Sequence, residues 1–139
     1  DGSVNYNNVT LGNGQAPDGT TISNVAPGVA GNDAVNLNQL NSGLTQANQN
    51  VQQLRGEVAH NRREANAGVA GAMAMAGMPQ AYLPGKSMLA AGAASYEGQT
   101  AIAIGMSKIS DNGKWVMKFS GSANSRGTVG MTVGAGYQW

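Results

Sequence analysis

In Thr128-Val129-Gly130-Met131-Thr132-Val133-Gly134-Ala135-Gly136-Tyr137-Gln138-Trp139, large apolar and small residues alternate without a break. Val129, Met131, Val133, Ala135, Tyr137 and Trp139 fall on one side, and Gly130, Thr132, Gly134, Gly136 and Gln138 on the other. A period of two is that of a β-strand, whose successive side chains point to opposite faces. The same split recurs upstream. Trp115, Met117 and Phe119 oppose Lys118, Ser120 and Ser122, and Ile102, Ile104 and Met106 oppose Ala103, Gly105 and Ser107.

Four strands follow Gly85, at Ser87–Tyr96, Thr100–Ser110, Lys114–Asn124 and Thr128–Trp139. The short spacers Glu97-Gly98-Gln99, Asp111-Asn112-Gly113 and Ser125-Arg126-Gly127 are turns, with Asn112-Gly113 the strongest hairpin signal. Each strand matches the about 9–11 residues that cross a bilayer at a tilt. Period alone fits a soluble meander with one buried face equally well. The small-residue face argues against it, because a solvated face would carry more charge than Lys118 supplies. The expected pattern is therefore lipid-out and lumen-in, with Tyr96, Trp115, Tyr137 and Trp139 as interfacial aromatics and Phe119 facing lipid.

Four strands cannot close a barrel, since the smallest familiar membrane barrels have about eight, and an open edge is not tolerated in hydrocarbon. The chain must oligomerise, and three copies give twelve strands. The preceding segment makes the same demand. Apolar residues spaced by threes and fours place Leu37, Leu44, Val51, Val58 and Ala65 at heptad a and Leu40, Ala47, Leu54, Asn61 and Gly68 at d. Toward its end the helix becomes small on every side, with Ala65, Gly68, Gly71 and Ala72 among the residues that suit a narrow pore. Three helices, each about 10 Å across, need a trimmed lumen wall, and Gly130, Gly134 and Gly136 provide one. Pro79 and Pro84 end the helix.

The fold class expected is thus an α+β membrane protein, a homotrimeric twelve-stranded β-barrel with a trimeric coiled coil entering the pore. The boundaries are a β-rich connector and neck over 1–36, stalk over 37–64, pore helix and turn over 65–85, and barrel segment over 86–139. Within the connector, Val9-Thr10-Leu11 and Thr20-Thr21-Ile22 are candidate short strands, separated by turns at 12–14 and at Pro17-Asp18-Gly19.

Composition narrows function by exclusion. Charged residues make up 11% and the net charge is +1, so there is no basic footprint for nucleic acid. With no cysteine and a single histidine, His60, there is no thiolate chemistry, no zinc cluster and no credible catalytic triad. Arg62, Arg63 and Glu64 beside His60 read as a solvated face. No enzymatic activity, cofactor or metal is expected. Asp1-Gly2-Ser3 does not read as a signal peptide, so the chain reads as part of a longer exported protein with its passenger upstream. A soluble trimeric coiled-coil and β fibre module is the competing architecture, separated by its independence of detergent.

Three segments resemble the YadA-type anchor of the trimeric autotransporter adhesins. Ile22-Ser23-Asn24-Val25-Ala26-Pro27-Gly28 with Asp33-Ala34-Val35-Asn36 and Gln39-Leu40 resembles the neck between head and stalk. Ala70 to Ala76, with Pro79-Gln80 and Pro84-Gly85-Lys86, resembles the passage from helix to barrel, and Gly134 to Trp139 the last strand. The resemblance implies a trimer in a bacterial outer membrane with the stalk at the cell surface. It also implies export of the passenger through the pore and adhesion to a host or surface ligand by the upstream head. Tyr137 and Trp139 would help the barrel assembly machinery recognise the chain, anchor it at the interface, or both. Asn61 either sets register as a polar d residue or holds an anion on the three-fold axis. The family's motif has Thr after that Asn, whereas here Arg62 follows.

Overall fold

The computed structural model describes residues 7, 9, 11, 12 and 16–139. The chain divides into two compact units, Asp1–Val51 and Gln52–Trp139, and one helix, α1 (Leu37–Ala76), runs through both. Its 40 residues span about 60 Å at about 1.5 Å each.

In the first unit the helix start organises the segment that precedes it. Asn36 is the N-cap: its Oδ1 accepts the Gln39 N–H at 3.0 Å, while the Gln39 Oε1 accepts the Asn36 N–H at 3.3 Å. This is a capping box built from Asn and Gln, two orphan donors satisfied reciprocally. Gln39 also pairs with the Gly28 backbone in both directions. Its Oε1 accepts the Gly28 N–H and its Nε2 donates to the Gly28 carbonyl, each at 2.9 Å. The Asn36 Nδ2 donates to the Val25 carbonyl at 3.2 Å. Two amides on the first turn of the helix thus tie down a segment that has no strand of its own.

Asp33 closes the loop between them, its carboxylate accepting the Val29 and Ala30 N–H groups at 2.8 and 2.7 Å. These bonds, the one from Ala30 foremost, hold the Asp33 carboxyl below the ordinary aspartate value of 3.8. They favour the ionised form, so their contribution is complete above that ordinary value and is lost as pH falls through the lower folded one. In acid titration the Val29 and Ala30 amide shifts will therefore move with a midpoint below 3.8, and Asp33→Ala will remove the titration.

The expected strand at Thr20–Ile22 does not form: these residues belong to no ladder among the described residues. Without a partner strand there is no inter-strand hydrogen bond to gain, and β-propensity alone does not make a strand. The turn at Pro17-Asp18-Gly19 is present, closed by the Gly19 N–H on the Ala16 carbonyl at 3.0 Å. Thr10, Asn13 and Gly14, on which the other candidate strand and turn rest, lie outside the described residues.

In the second unit the chain after α1 forms an antiparallel meander, β1 (Ser87–Tyr96), β2 (Gln99–Ile109), β3 (Trp115–Asn124) and β4 (Val129–Tyr137), in sheet order β1-β2-β3-β4. The turns differ from their sequence ranking. Asn112-Gly113 is not a two-residue turn, since the Gly113 N–H bonds the Ser110 carbonyl and only Gly113 has positive φ. The Asn112 Oδ1 accepts the Lys114 N–H and the Ser110 hydroxyl, which favours the longer turn. The two-residue turn is Glu97-Gly98, with φ of 46° and 74°, between the paired residues Tyr96 and Gln99. Both positive φ values are what the right-handed twist of a tight hairpin requires.

Candidate functional site

One face of the sheet is small and covered, the other large and bare. Ala101, Ala103, Ser107, Ile109 and Ser120 are buried, whereas Leu89, Ile102, Ile104, Met106, Met131 and Val133 are all more than half exposed. A soluble sheet buries its large apolar side chains. Here that face is open and the Ala, Gly and Ser face carries the helix.

Helical spacing explains the contact. Ala67, Ala70, Gly71 and Ala74 of α1 are buried, a stripe at threes and fours. In the heptad frame Ala67 and Ala74 are c and Ala70 is f, on the back of the helix from the a/d seam, while Gly71 is g, at its flank. Ala65, Gly68 and Ala72, on the seam, remain exposed, and so do the seam residues Leu37, Leu40, Leu44, Val51, Leu54 and Val58. The small residues thus have two addresses: Gly71 meets the sheet, where an added Cβ would lie 3.0 Å from the Ser122 Oγ, while Ala65, Gly68 and Ala72 are exposed. Asn61 is also exposed on that seam.

Among the glycines proposed to trim the wall, Gly130 approaches this chain's own helix, a Cβ there lying 3.7 Å from the Met75 Cε. Gly134 and Gly136 have nothing within 4 Å of an added Cβ. The closest approaches fall instead on Gly92 and Gly105, which the sequence reading did not single out. A Cβ on Gly92 would lie 2.5 Å from the Ala74 carbonyl oxygen and 2.9 Å from the Met78 Cγ, and one on Gly105 would lie 2.7 Å from the Phe119 carbonyl oxygen of the neighbouring strand and 2.9 Å from the Met78 Cε. Met78, 4% exposed, is the side chain for which both make room. The signal was in the alternation: Gly92 and Gly105 share the small face with Ala90, Ala94 and Ala103, but which glycine meets the helix depends on strand register.

Polar contacts secure the end of the helix. The Ser107 Oγ, on a residue 2% exposed, accepts the Ala81 N–H at 2.7 Å. The Lys118 Nζ donates to the Met78 and Met75 carbonyls at 3.3 and 3.4 Å. The last turn of α1 has no basic residue of its own, so β3 supplies the cation that suits a helix C-terminus. At the other end of the sheet, the Arg126 guanidinium lies 3.5 Å from the His60 Nδ1, and the His60 Nε2 lies 3.0 Å from the Glu64 carboxylate. His60 to Ala76 is 16 helical steps, about 24 Å, close to the about 25 Å apolar band of outer-membrane barrels.

Aromatics mark the sheet ends. Trp115 and Tyr137, paired in register, meet edge to face with centroids 5.1 Å apart. Trp139 is fully exposed beside them in sequence, Phe119 sits on the bare face at 46% exposure, and Tyr96 closes the opposite end of β1. Among the described residues no helix is long and apolar enough to cross a membrane. The described residues likewise hold no cluster of potential metal ligands.

Comparison with known families agrees with this architecture. Residues 79–139 match the YadA-like membrane anchor domain, and residues 21–67 match the coiled stalk of trimeric autotransporter adhesin. The chain is 44% identical to the autotransporter adhesin EhaG of Escherichia coli O157:H7 over all of its length. It is 46% identical over 85% of its length to the autotransporter adhesin NhhA of Neisseria meningitidis serogroup B. It is 34% identical over 94% to the trimeric autotransporter adhesin AtaA of Acinetobacter sp. strain Tol 5. It spans only 9%, 19% and 4% of those three proteins. The lipid-type sheet, the helix on its small face and these matches together make the chain a member of the trimeric autotransporter adhesins, carrying their coiled stalk and YadA-like membrane anchor.

Proposed function

We propose that three copies close into a twelve-stranded outer-membrane barrel, with three α1 helices in its lumen, that exports the upstream passenger and then anchors it at the cell surface. The observation that carries this reading is the reversed sheet, large apolar side chains bare and small ones covered. Two further features support a trimer. The outer edges of β1 and β4 are unpaired among the described residues, and hydrocarbon does not tolerate open edges. The a/d seam of α1 is exposed along its length, as a helix awaiting coiled-coil partners would be.

In this reading lipid covers Ile104, Met106, Phe119 and Met131, and Tyr137 and Trp139 sit at the interface where the barrel assembly machinery meets the last strand. The upstream head binds the host or surface ligand, and the role assigned to this chain is mechanical, with no catalytic step. Asn61 forms a polar layer on the axis. Crystals grown in bromide decide whether three Asn61 amides also hold an anion, since anomalous scattering on the axis would place one there.

Heat-dependent gel migration of the outer-membrane-expressed chain, with its mass in detergent, tests the proposal. A threefold mass that collapses on boiling is expected. A monodisperse species that needs no detergent would replace the barrel with a soluble fibre module. Gly134→Leu offers a sharper check. An added Cβ there has nothing of its own chain within 4 Å among the described residues, so reduced trimer yield and surface display, by at least tenfold for overpacking of about 1–3 kcal/mol per copy, would report helices from neighbouring copies. Normal display would show that this glycine makes no room for them.

A further inference from the structure

We infer that Lys118 is a latch that holds the helix in the lumen once the passenger has passed, a role that rests on the barrel reading above. Lys118 is the only charged residue on the small face of the sheet. An ionisable group facing the interior of a membrane protein is costly and calls for a partner. Its partners are the Met75 carbonyl in the last turn of α1 and the Met78 carbonyl two residues past its end, 43 and 40 residues away in sequence.

These bonds join the wall to the seated helix, so they exist only in the plugged state. While an extended passenger occupies the lumen, the C-terminal carbonyls and the negative end of the helix dipole are not assembled there. Lys118 then has no such partner. A contact made in one state alone shifts the population toward that state by its whole differential free energy. The Ser107 bond to the Ala81 N–H is a second wall-to-passage contact of the same kind, but it carries no charge. Lys118 is therefore a positioning residue: it fixes the helix, and the helix closes the pore.

The test uses the full trimer, purified from outer membranes and placed in planar bilayers, as wild type, Lys118→Met, Lys118→Gln and Lys118→Arg. Methionine keeps the length and apolar stem of lysine and loses the cation. Lys118→Met should give the wild-type amount of heat-resistant trimer and of displayed tag, with the open-pore fraction raised about tenfold, as loss of a charge-assisted hydrogen bond implies. Lys118→Arg should return it to within about twofold, and Lys118→Gln, which retains an N–H donor, should lie between. Conductance separates a latch from a merely structural contact, which would alter trimer yield or heat resistance and leave the assembled pore closed.

A Lys118→Met trimer as closed as wild type overturns the inference, as does an arginine variant as open as the methionine one. If Lys118→Met does not assemble, Lys118→Gln carries the test, and wild-type closure of that variant overturns the latch. Failure of both to assemble also overturns it, because Lys118 would then serve construction of the barrel and not its closure. A wild-type chain that is monomeric in detergent fails the barrel reading itself, an outcome visible on the gel before any conductance is measured.

Discussion

Gly92→Val should abolish the heat-resistant trimer. The replacement suits a strand, because valine is a good β-former and β1 keeps its pairing with β2. The obstacle lies across the small-residue face. The first added carbon would stand 2.5 Å from the Ala74 carbonyl oxygen and 2.9 Å from the Met78 Cγ. Met78 can turn aside, but Ala74 offers a backbone atom on a helix whose neighbours Ala70 and Gly71 are themselves buried against the sheet. Relief requires the helix to shift. Overpacking costs about 1–3 kcal/mol at one site, and a symmetric trimer repeats it three times, giving about 3–9 kcal/mol. Surface display of an upstream tag should fall at least tenfold, and the boiling-sensitive band should vanish from unheated gels. Ala93→Val, one residue along and on the exposed face, is the control and should assemble normally. Wild-type assembly of Gly92→Val would mean that the helix does not rest on this wall.

The contrast between Gly92 and Gly134 shows what the sequence could and could not convey. Period-two alternation is a property of a single strand, so the four strands, their faces and the lipid-type pattern were legible without coordinates. The heptad seam was equally local, and α1 begins at Leu37 as its spacing requires. Which glycines meet the helix was not legible, because that depends on how four strands are staggered and on how far the chain runs before it turns back at Pro84. Gly92 pairs with Ala103 and Gly105 with Ser120, and only this register brings Gly92 and Gly105 together around Met78. The partner of Lys118 was hidden for the same reason. A lone cation on a small face announced a need, but the helix carbonyls that meet it lie some forty residues earlier in the chain.

Turns show a different limit. Asn112-Gly113 ranks first by local preference, yet the Ser110 hydroxyl and the Asn112 amide oxygen form bonds that a two-residue turn would forgo. In Glu97-Gly98 the pairing of Tyr96 with Gln99 leaves just two residues to reverse the chain, and Glu97 accepts a φ of 46° to do so. Strand register, set by which face must meet the helix, outweighs the roughly 1 kcal/mol by which non-glycine residues disfavour the left-handed region.

The second large effect lies on the opposite face. Ile104 is in the middle of β2 and 68% exposed, beside Met106 and opposite Ala91 and Gly121 in register. In water, Ile104→Arg would be harmless or helpful, since an exposed apolar side chain is exchanged for a solvated one and the small face beneath is untouched. In lipid, an arginine at the bilayer midplane of a barrel strand costs about 2–4 kcal/mol, or about 6–12 kcal/mol over three copies. Its guanidinium can reach the interface only by distorting the sheet or thinning the bilayer. The expected result is loss of the assembled trimer from the outer membrane, with the same substitution at Trp115, beside the sheet end, costing far less because interfacial positions tolerate charge. A graded loss that follows depth from strand end to strand centre is a signature of lipid contact. Uniform tolerance along β2 and β3 would instead place this face in water and require another surface to cover it.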